Sequence, residues 1–180
     1  MMNIVLMGCP GAGKEIAGII NKGNLVPDSL MISMLENIVK GTDKGIIFDG
    51  FPRTVAQAQA LDDMMKRLNR KITQVIMITL PEEEIISRIT SRRQCKKCGE
   101  IYHVDPSAPM QTCKACGGEL YTRADDTAER VKHRIEVYHQ ETLPVKDYYK
   151  NSGVYKEVDG HQTPDQVFAE ISNILEEGAK

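Results

Sequence analysis

The sequence has 180 residues, of which 41% are hydrophobic and 27% are charged, and its formal net charge at pH 7 is −2. This length and composition fit one globular domain with a hydrophobic core and a small insertion, and they argue against a disordered chain. Because the charge is nearly balanced, we expect no bulk electrostatic attraction to nucleic acid or to an anionic membrane.

The first fourteen residues combine an apolar run with a glycine-rich turn. Ile4 to Met7 is typical of a strand that is buried on both faces of a parallel sheet. This run is too short to cross a membrane and leads directly into the turn, so we expect no signal peptide and a cytoplasmic protein. Gly8 to Lys14 has the P-loop spacing, in which backbone amides surround a phosphate and the lysine reaches its outer oxygens. An ordinary tight turn between a strand and a helix is the alternative interpretation.

The residue after Lys14 does not fit this motif. A P-loop normally supplies a Ser or Thr hydroxyl for Mg²⁺ at that point, whereas this chain continues with Glu15 and Ile16. A carboxylate there would repel the phosphates that the loop attracts.

The rest of the chain alternates predicted helices and strands. Helices are predicted over residues 28–39, 55–68, 81–93, 125–149 and 165–175, and strands over 45–54 (including the exit of the strand), 74–80 and 154–158. Asp28 and Thr54 are the predicted N-caps of the first two of these helices. The alternation predicts an α/β fold with a parallel sheet wrapped by helices.

The helix that begins near Pro81 is predicted to end in a basic cluster of Arg88, Arg92 and Arg93. Because Arg88 and Arg92 are four residues apart, they would share one helical face and could bind one polyphosphate together. An ordinary solvated basic face is the alternative.

Residues 94–121 form a small inserted module that is rich in Cys, Lys, Gly and Pro. Two C-x-x-C pairs, Cys95/Cys98 and Cys113/Cys116, would supply four thiolates, and this spacing predicts a tetrahedral, structural Zn²⁺ site. Metal ligation is favoured over disulfides because no export signal is seen. A redox pair and simply buried cysteines are the alternatives.

Polar residues follow the second strand at the sheet edge where open α/β folds bind ligands. Asp49 is placed to hold Mg²⁺ directly or through water, and Arg53 to bind a phosphate group. Each residue alone could simply stabilise a turn. Beside a P-loop, the two together favour phosphoryl transfer.

These segments together resemble the adenylate kinase family. The resemblance is carried by Gly8–Lys14, Phe48–Thr54 with Gln57, the Arg88/Arg92 helix, and Thr122–Asp126 followed by Arg134. The cysteine module resembles the zinc-bearing LID of the long bacterial form. The resemblance implies a P-loop parallel sheet with a mobile lid, and the reaction ATP + AMP ⇌ 2 ADP with Mg²⁺. It also implies a CORE at 1–93 and 124–180, a zinc-ribbon-like LID at 94–123, and a remnant of the AMP-binding segment at about 15–28.

The same resemblance implies roles for individual residues. The catalytic set is Lys14, Arg88, Arg92, Arg123 and Arg134. The ATP-binding set is Gly11, Ala12, Gly13, Lys14, Arg88 and Arg92, and the AMP-binding set is Leu25, Val26, Gly50, Arg53, Gln57, Arg123 and Arg134. Asp49 supports Mg²⁺, while Asp125 and Asp126 belong to the lid hinge and its closing contacts. The expected partners are ATP, AMP and ADP, with no nucleic acid, no membrane and no second subunit.

The chain departs from the family pattern after Lys14. Family members continue with Gly-Thr or Gly-Ser, a helix, a strand and a helical AMP-binding segment, so roughly thirty residues are missing before Lys22. Either the protein is truly shortened, or the sequence omits part of a longer protein. We favour the second, because losing a core helix and strand would expose sheet surface whose burial supplies most of the folding energy. A nucleotide-binding remnant without catalysis and a zinc-ribbon module for nucleic acid are the alternative functions.

Overall fold

The computed structural model describes residues 2–8, 28–105 and 107–178. The predictions for the P-loop and for the AMP-binding remnant therefore lie outside the described residues. They concern Gly11, Ala12, Gly13, Lys14, Leu25 and Val26.

Up to residue 91 the described elements alternate between strand and helix, as the sequence predicts. The helices are α1 (Asp28–Lys40), α2 (Val55–Arg67), α3 (Glu82–Ser91), α4 (Ala128–Val137), α5 (Leu143–Lys150) and α6 (Pro164–Gly178), with one π-helical turn at Tyr138–Thr142. The strands are β1 (Asn3–Gly8), β2 (Ile46–Asp49), β3 (Gln74–Thr79), β4 (Arg92–Cys95), β5 (Ile101–His103), β6 (Leu120–Tyr121) and β7 (Tyr155–Asp159). The predicted α/β fold is confirmed. None of the described helices is both long and apolar enough to cross a membrane.

A four-stranded parallel sheet with the order β2-β1-β3-β7 forms the centre of the fold. The middle strands β1 and β3 carry fully buried side chains on both faces, among them Val5, Val75, Ile76 and Met77. One face packs against α1, α2 and α5, and the other packs against α6. Because all four strands run in the same direction, their carboxyl ends meet at one edge, where Asp49 and Asp159 terminate β2 and β7.

The predicted N-cap of α2 is confirmed. The Thr54 hydroxyl accepts a hydrogen bond of 3.2 Å from the Gln57 backbone N–H, and Thr54 itself has an extended backbone. This cap satisfies one of the amides that the first turn of a helix leaves unpaired. It also fixes the direction in which α2 leaves the sheet edge.

The prediction that Arg92 and Arg93 belong to the helix of Arg88 is wrong. Helix α3 ends at Ser91, and Arg92 has φ −65° and ψ 136°, which is an extended conformation. Residues 92–95 instead form β4, the middle strand of an antiparallel sheet with the order β5-β4-β6. Pairing on both sides outweighs the local helical pattern, so Arg88 and Arg92 do not share a helical face.

The cysteine module is built on this antiparallel sheet, whose middle strand β4 begins at Arg92. Its core is formed by Cys95, Cys113 and Leu120, with Tyr102 packed against them. Strand β4 therefore starts two residues before the predicted LID boundary at 94. The division of the chain into CORE and LID remains a prediction.

The predicted long helix at 125–149 is interrupted. Helix α4 begins at Ala128, where the Thr127 hydroxyl caps its first turn, and a π-helical turn separates it from α5. Pro144 has no N–H that could donate a hydrogen bond to the carbonyl four residues earlier. The N–H of the preceding residue, Leu143, donates to the Tyr138 carbonyl five residues earlier, which is the π-helical pattern. Proline explains the widened turn.

Candidate functional site

The segment that follows β2 places an arginine, Arg53, at the carboxyl edge of the sheet. Gly50 follows Asp49 with a φ of 71°, a conformation that glycine adopts at little cost. The carbonyl of Gly50 accepts a hydrogen bond of 2.9 Å from Arg53 Nε. Arg53 is exposed, so its remaining guanidinium donors can reach an anionic ligand.

Gln57 connects this segment to the start of α1. Its Oε1 accepts a hydrogen bond of 2.8 Å from the Arg53 backbone N–H, and its Nε2 donates one of 2.7 Å to Asp28 Oδ1. Gln57 therefore contacts Asp28, the last residue of the AMP-binding remnant that the resemblance implies at about 15–28.

Two arginines meet one carboxylate at the predicted lid hinge. Arg123 Nε lies 3.7 Å from Asp125 Oδ1, and Arg134 Nη1 lies 3.7 Å from Asp125 Oδ2. These distances are too long for hydrogen bonds, and the Arg134 Nη1 atom is buried without a hydrogen-bond partner among the described residues. A phosphate oxygen could supply the missing acceptor.

Arg92 forms a buried ion pair beside this hinge. Its Nε and Nη2 atoms donate hydrogen bonds of 2.9 and 2.6 Å to the two carboxylate oxygens of Asp126. The side chains are 11% and 0% exposed, respectively. The bidentate pair joins the first residue of β4 to the segment before α4, so it fixes the base of the antiparallel sheet.

Arg88 lies near the end of α3 and contacts the turn after β7. Its Nη2 donates a hydrogen bond of 3.0 Å to the Gly160 carbonyl and lies 2.5 Å from Glu84 Oε1 one turn earlier in the helix. Helix α3 packs against α4 through Ile85, Ile89, Val131 and Ile135. Arg88 and Arg134 are therefore on two helices that pack together.

The four cysteines of the two C-x-x-C pairs converge. The sulfurs of Cys95 and Cys116 are 3.5 Å apart, those of Cys98 and Cys113 are 3.6 Å apart, and all four lie within 4.8 Å of one another. A tetrahedral Zn²⁺ with Zn–S bonds of about 2.3 Å requires sulfur–sulfur distances of about 3.8 Å. The cluster is compatible with such an ion without large rearrangement.

Glycine is required close to these sulfurs. A Cβ atom on Gly118 would lie 2.8 Å from Cys95 Sγ and 2.9 Å from Lys97 Cβ, which is closer than such atoms approach. Gly99 and Gly117 have φ values of 78° and 67° and form the turns that follow the pairs.

The thiols of the cluster differ in acidity. The hydroxyl of Tyr102 is 3.3 Å from Cys113 Sγ, and this hydrogen bond lowers the pKa of Cys113 to about 6. The pKa of Cys116 rises to about 12: the Gly118 N–H lowers it, but the neighbouring Cys98 sulfur and burial oppose ionisation more strongly. Four adjacent thiolates repel one another unless a cation lies between them, which is the chemistry of a metal site.

The comparisons with known proteins agree with this geometry. Residues 6–154 match the family model described as adenylate kinase. The chain belongs to the adenylate kinase family. The predicted resemblance is thus confirmed.

Named relatives support the same conclusion. The chain is 47% identical to an adenylate kinase from Archaeoglobus fulgidus over 168 residues, with 91% of this chain and 77% of that protein covered. It is 45% identical to an adenylate kinase from Carboxydothermus hydrogenoformans over 161 residues, with 87% and 75% covered.

A third relative reveals an internal difference in length. The match to an adenylate kinase from Clostridium botulinum, at 37% identity, runs over 212 residues and covers 97% of this chain and 98% of that protein. Because this chain has only 180 residues, a match that runs over 212 residues must contain positions of the Clostridium protein that have no counterpart in this chain. The comparison supports the predicted absence of a segment that the adenylate kinase family normally has.

Sequence reasoning missed several contacts around the adenylate kinase site. Glu84 precedes Arg88 by four residues, a spacing that predicts an ion pair on a helix. Tyr102 lies between the two cysteine pairs, where a hydroxyl close to a thiolate could have been considered. The link between His161 and Glu84 spans 77 residues, and no local pattern predicts it.

Proposed function

We propose that this chain is an adenylate kinase that catalyses ATP + AMP ⇌ 2 ADP. The observation that carries the proposal is the pair of arginines on one carboxylate, with Arg123 and Arg134 each 3.7 Å from Asp125. All three side chains are 37–47% exposed. Such loose pairs cost little to break, so phosphate oxygens can replace Asp125 when nucleotides bind.

The proposed roles follow from where charge develops in phosphoryl transfer. Arg88, Arg92, Arg123 and Arg134 neutralise the transferring group, and Lys14 with the amides of Gly11, Ala12 and Gly13 holds the ATP phosphates. Arg53 binds the AMP phosphate, and the Gly50 turn supports it. Gln57 recognises adenine, and Leu25 and Val26 lie along the base.

Mg²⁺ bound with ATP would neutralise phosphate charge and help to align the donor with the acceptor. We propose that Asp49 supports this ion directly or through water. Asp49 ends β2 at the carboxyl edge of the sheet, which is where nucleotides bind in this class of fold.

A coupled assay for ADP tests the proposed reaction. We expect Arg134→Ala to lower kcat about a hundredfold or more, because a cation that contacts the transferring group is lost. The matched control is Lys132→Ala, which removes one positive charge from an exposed position of the same helix. Equal activity of the two variants, with an unchanged fold, would contradict the assignment.

We further propose that Cys95, Cys98, Cys113 and Cys116 bind one structural Zn²⁺. The sulfur positions and the close approach of Gly118 support this ion, and the fourfold thiolate shell leaves no position open for catalysis. Cys98→Ser should lower metal content and the melting temperature. Cys9→Ser, which alters the remaining cysteine of the sequence, should leave zinc content unchanged. Purified protein without zinc would refute the proposal.

A nucleotide-binding protein without catalysis is the second candidate. Glu15 in place of Ser or Thr and the gap relative to the Clostridium protein both favour it for a chain of 180 residues. Intact mass combined with the coupled assay separates the two. Rapid ADP formation by a protein of verified 20.1 kDa would eliminate this candidate and would show that the gap is tolerated.

We also propose that the protein works as a cytoplasmic monomer with small-molecule nucleotides as its only partners. The net charge of −2 supports the absence of nucleic-acid and membrane partners. Light scattering and titration with labelled RNA test these points. A stable dimer, or micromolar RNA binding at physiological salt, would contradict them.

A further inference from the structure

The Gln57 side chain is held at both ends of its amide group. Its Oε1 accepts a hydrogen bond of 2.8 Å from the Arg53 backbone N–H, and its Nε2 donates one of 2.7 Å to Asp28 Oδ1. Gln57 is the third residue of α2, and its own backbone N–H donates to the Thr54 hydroxyl that caps this helix. The side chain therefore bridges the start of α2 and Asp28, the first residue of α1.

These two partners permit only one orientation of the amide. A backbone N–H can only donate a hydrogen bond, and an ionised carboxylate can only accept one. If the Gln57 amide flipped, its NH2 group would face the Arg53 N–H and its oxygen would face the Asp28 carboxylate. Both hydrogen bonds would be lost, and the groups that made them would be left unpaired. Asp28 therefore supplies the acceptor that fixes where the NH2 group lies.

The fixed amide can still bind a ligand through both of its ends. An amide oxygen accepts two hydrogen bonds and an NH2 group donates two, so each end keeps one position after its contact with Arg53 or Asp28. Adenine presents an N6–H donor beside a ring-nitrogen acceptor, a pattern that a glutamine amide matches with two hydrogen bonds. A 6-oxopurine presents an oxygen acceptor in place of that donor, so the amide must flip to donate to it.

We propose that Asp28 is a positioning residue for base selection, which locks the Gln57 amide in the orientation that pairs with adenine and disfavours 6-oxopurines. The proposal rests on the proposed role of Gln57 in recognising the base of AMP. A site whose hydrogen-bonding groups are fixed for one base leaves them unpaired with the other, and this difference is the source of discrimination. Asp28 acts only through Gln57 and does not have to contact the base.

One substitution distinguishes this lock from a purely structural contact. Asp28 also places a negative charge in the first turn of α1, where it is favourable, and its hydrogen bond ties α1 to α2. The side chain introduced by Asp28→Asn has nearly the same size and can both donate and accept, so it can hydrogen-bond to Gln57 in either amide orientation. Asp28→Asn therefore keeps the connection between the helices but releases the lock.

Isothermal titration calorimetry with AMP and with IMP measures the preference for adenine, because IMP carries the 6-oxopurine hypoxanthine on the same ribose phosphate. The wild-type chain should bind AMP more tightly than IMP. Asp28→Asn and Asp28→Ala should each lower this preference about three- to tenfold, the range for one exposed hydrogen bond to a charged group. Asp63→Asn is the matched control, because it removes the same charge from an exposed position further along α2, and it should keep the wild-type preference.

Gln57→Ala separates the lock from the role of Gln57 itself. If Gln57→Ala removes the preference for AMP while Asp28→Asn and Asp28→Ala retain it, the lock is refuted and the role of Gln57 stands. If Gln57→Ala leaves the preference unchanged, both fail together. Equal affinity of the wild-type chain for AMP and IMP, binding of neither, or a preference lowered equally by Asp63→Asn would also overturn the lock.

The coupled assay for ADP separates the lock from the proposed reaction. Calorimetry reports binding whether or not the chain catalyses phosphoryl transfer. A preference for AMP that depends on Asp28, in a chain that forms no ADP, would support the lock and refute the proposed reaction. ADP formation at the wild-type rate by Asp28→Asn, with an unchanged preference for AMP over IMP, would support the reaction and refute the lock.

Discussion

Replacing Asp126 with asparagine tests whether the pair with Arg92 stabilises the folded chain. Asparagine keeps the shape of the side chain but removes its charge, which leaves the Arg92 guanidinium buried without a counter-ion at Asp126. The Asp126 side chain is fully buried, and that of Arg92 is 11% exposed. Breaking a buried pair by removing one partner costs about 3–5 kcal/mol.

Thermal unfolding with zinc present measures this loss. For a chain of this size, each kcal/mol lowers the melting temperature by about 2–4 °C, so we expect Asp126→Asn to lower it by about 6–20 °C. Arg67→Ala is the control, because Arg67 is 57% exposed in its pair with Glu36 and exposed pairs contribute about 1 kcal/mol or less.

A second substitution separates charge from shape. Replacing Arg92 with Met and Asp126 with Leu together should restore most of the stability, since no unpaired charge then remains buried. A loss below about 1 kcal/mol for Asp126→Asn alone would refute the reasoning, because it would place the pair in the class of surface ion pairs.

Further predictions concern the cysteine cluster and the histidine. Gly118→Ala should lower zinc affinity, measured by chelator competition, because its Cβ would lie 2.8 Å from Cys95 Sγ; unchanged affinity would contradict the geometry. Tyr102→Phe should weaken zinc binding about tenfold, as the loss of an outer-shell hydrogen bond does; equal affinity would rule out that role. NMR titration should give His161 a pKa above 6.5 that falls in Glu84→Gln. Because Glu84 raises the pKa of His161, the protonated imidazole stabilises the folded chain at low pH, and this stabilisation is lost as pH rises through that pKa.

The middle strands of the central sheet could be predicted because β1 and β3 are almost continuously apolar. Val75, Ile76 and Met77 have no accessible surface, as expected for a strand covered on both faces. The start of α2 could be predicted equally well, because Thr54 caps the helix through a hydrogen bond with a residue three positions later. Both features depend on neighbours in sequence.

The contacts around the arginines depend on distant residues and could not be predicted in the same way. Arg92 and Asp126 are 34 residues apart, and the local pattern before Arg92 favours continuation of the helix. Strand pairing across β4 decides the conformation instead, as tertiary contacts commonly override propensity. The family resemblance supplied Asp125 and Asp126 as hinge residues, but it did not indicate that Asp126 pairs with Arg92 or that Glu84 pairs with Arg88.

The surface around β2 gives a final test of the predicted gap. Ile47 is 63% exposed on β2, the edge strand of the described sheet, and Leu30, Met34 and Ile38 form an outward stripe on α1 that is 53–59% exposed. A further strand and helix in a longer protein would cover such a surface. In a chain verified by mass as 180 residues, Ile47→Lys should change the free energy of unfolding by less than about 0.5 kcal/mol, because surface substitutions are well tolerated. In a longer protein that covers this strand, the same lysine would be buried without a partner and should cost several times more. A large loss of stability in the verified 180-residue chain would show that this chain covers β2 itself, and the inference from exposed surface to a missing segment would fail.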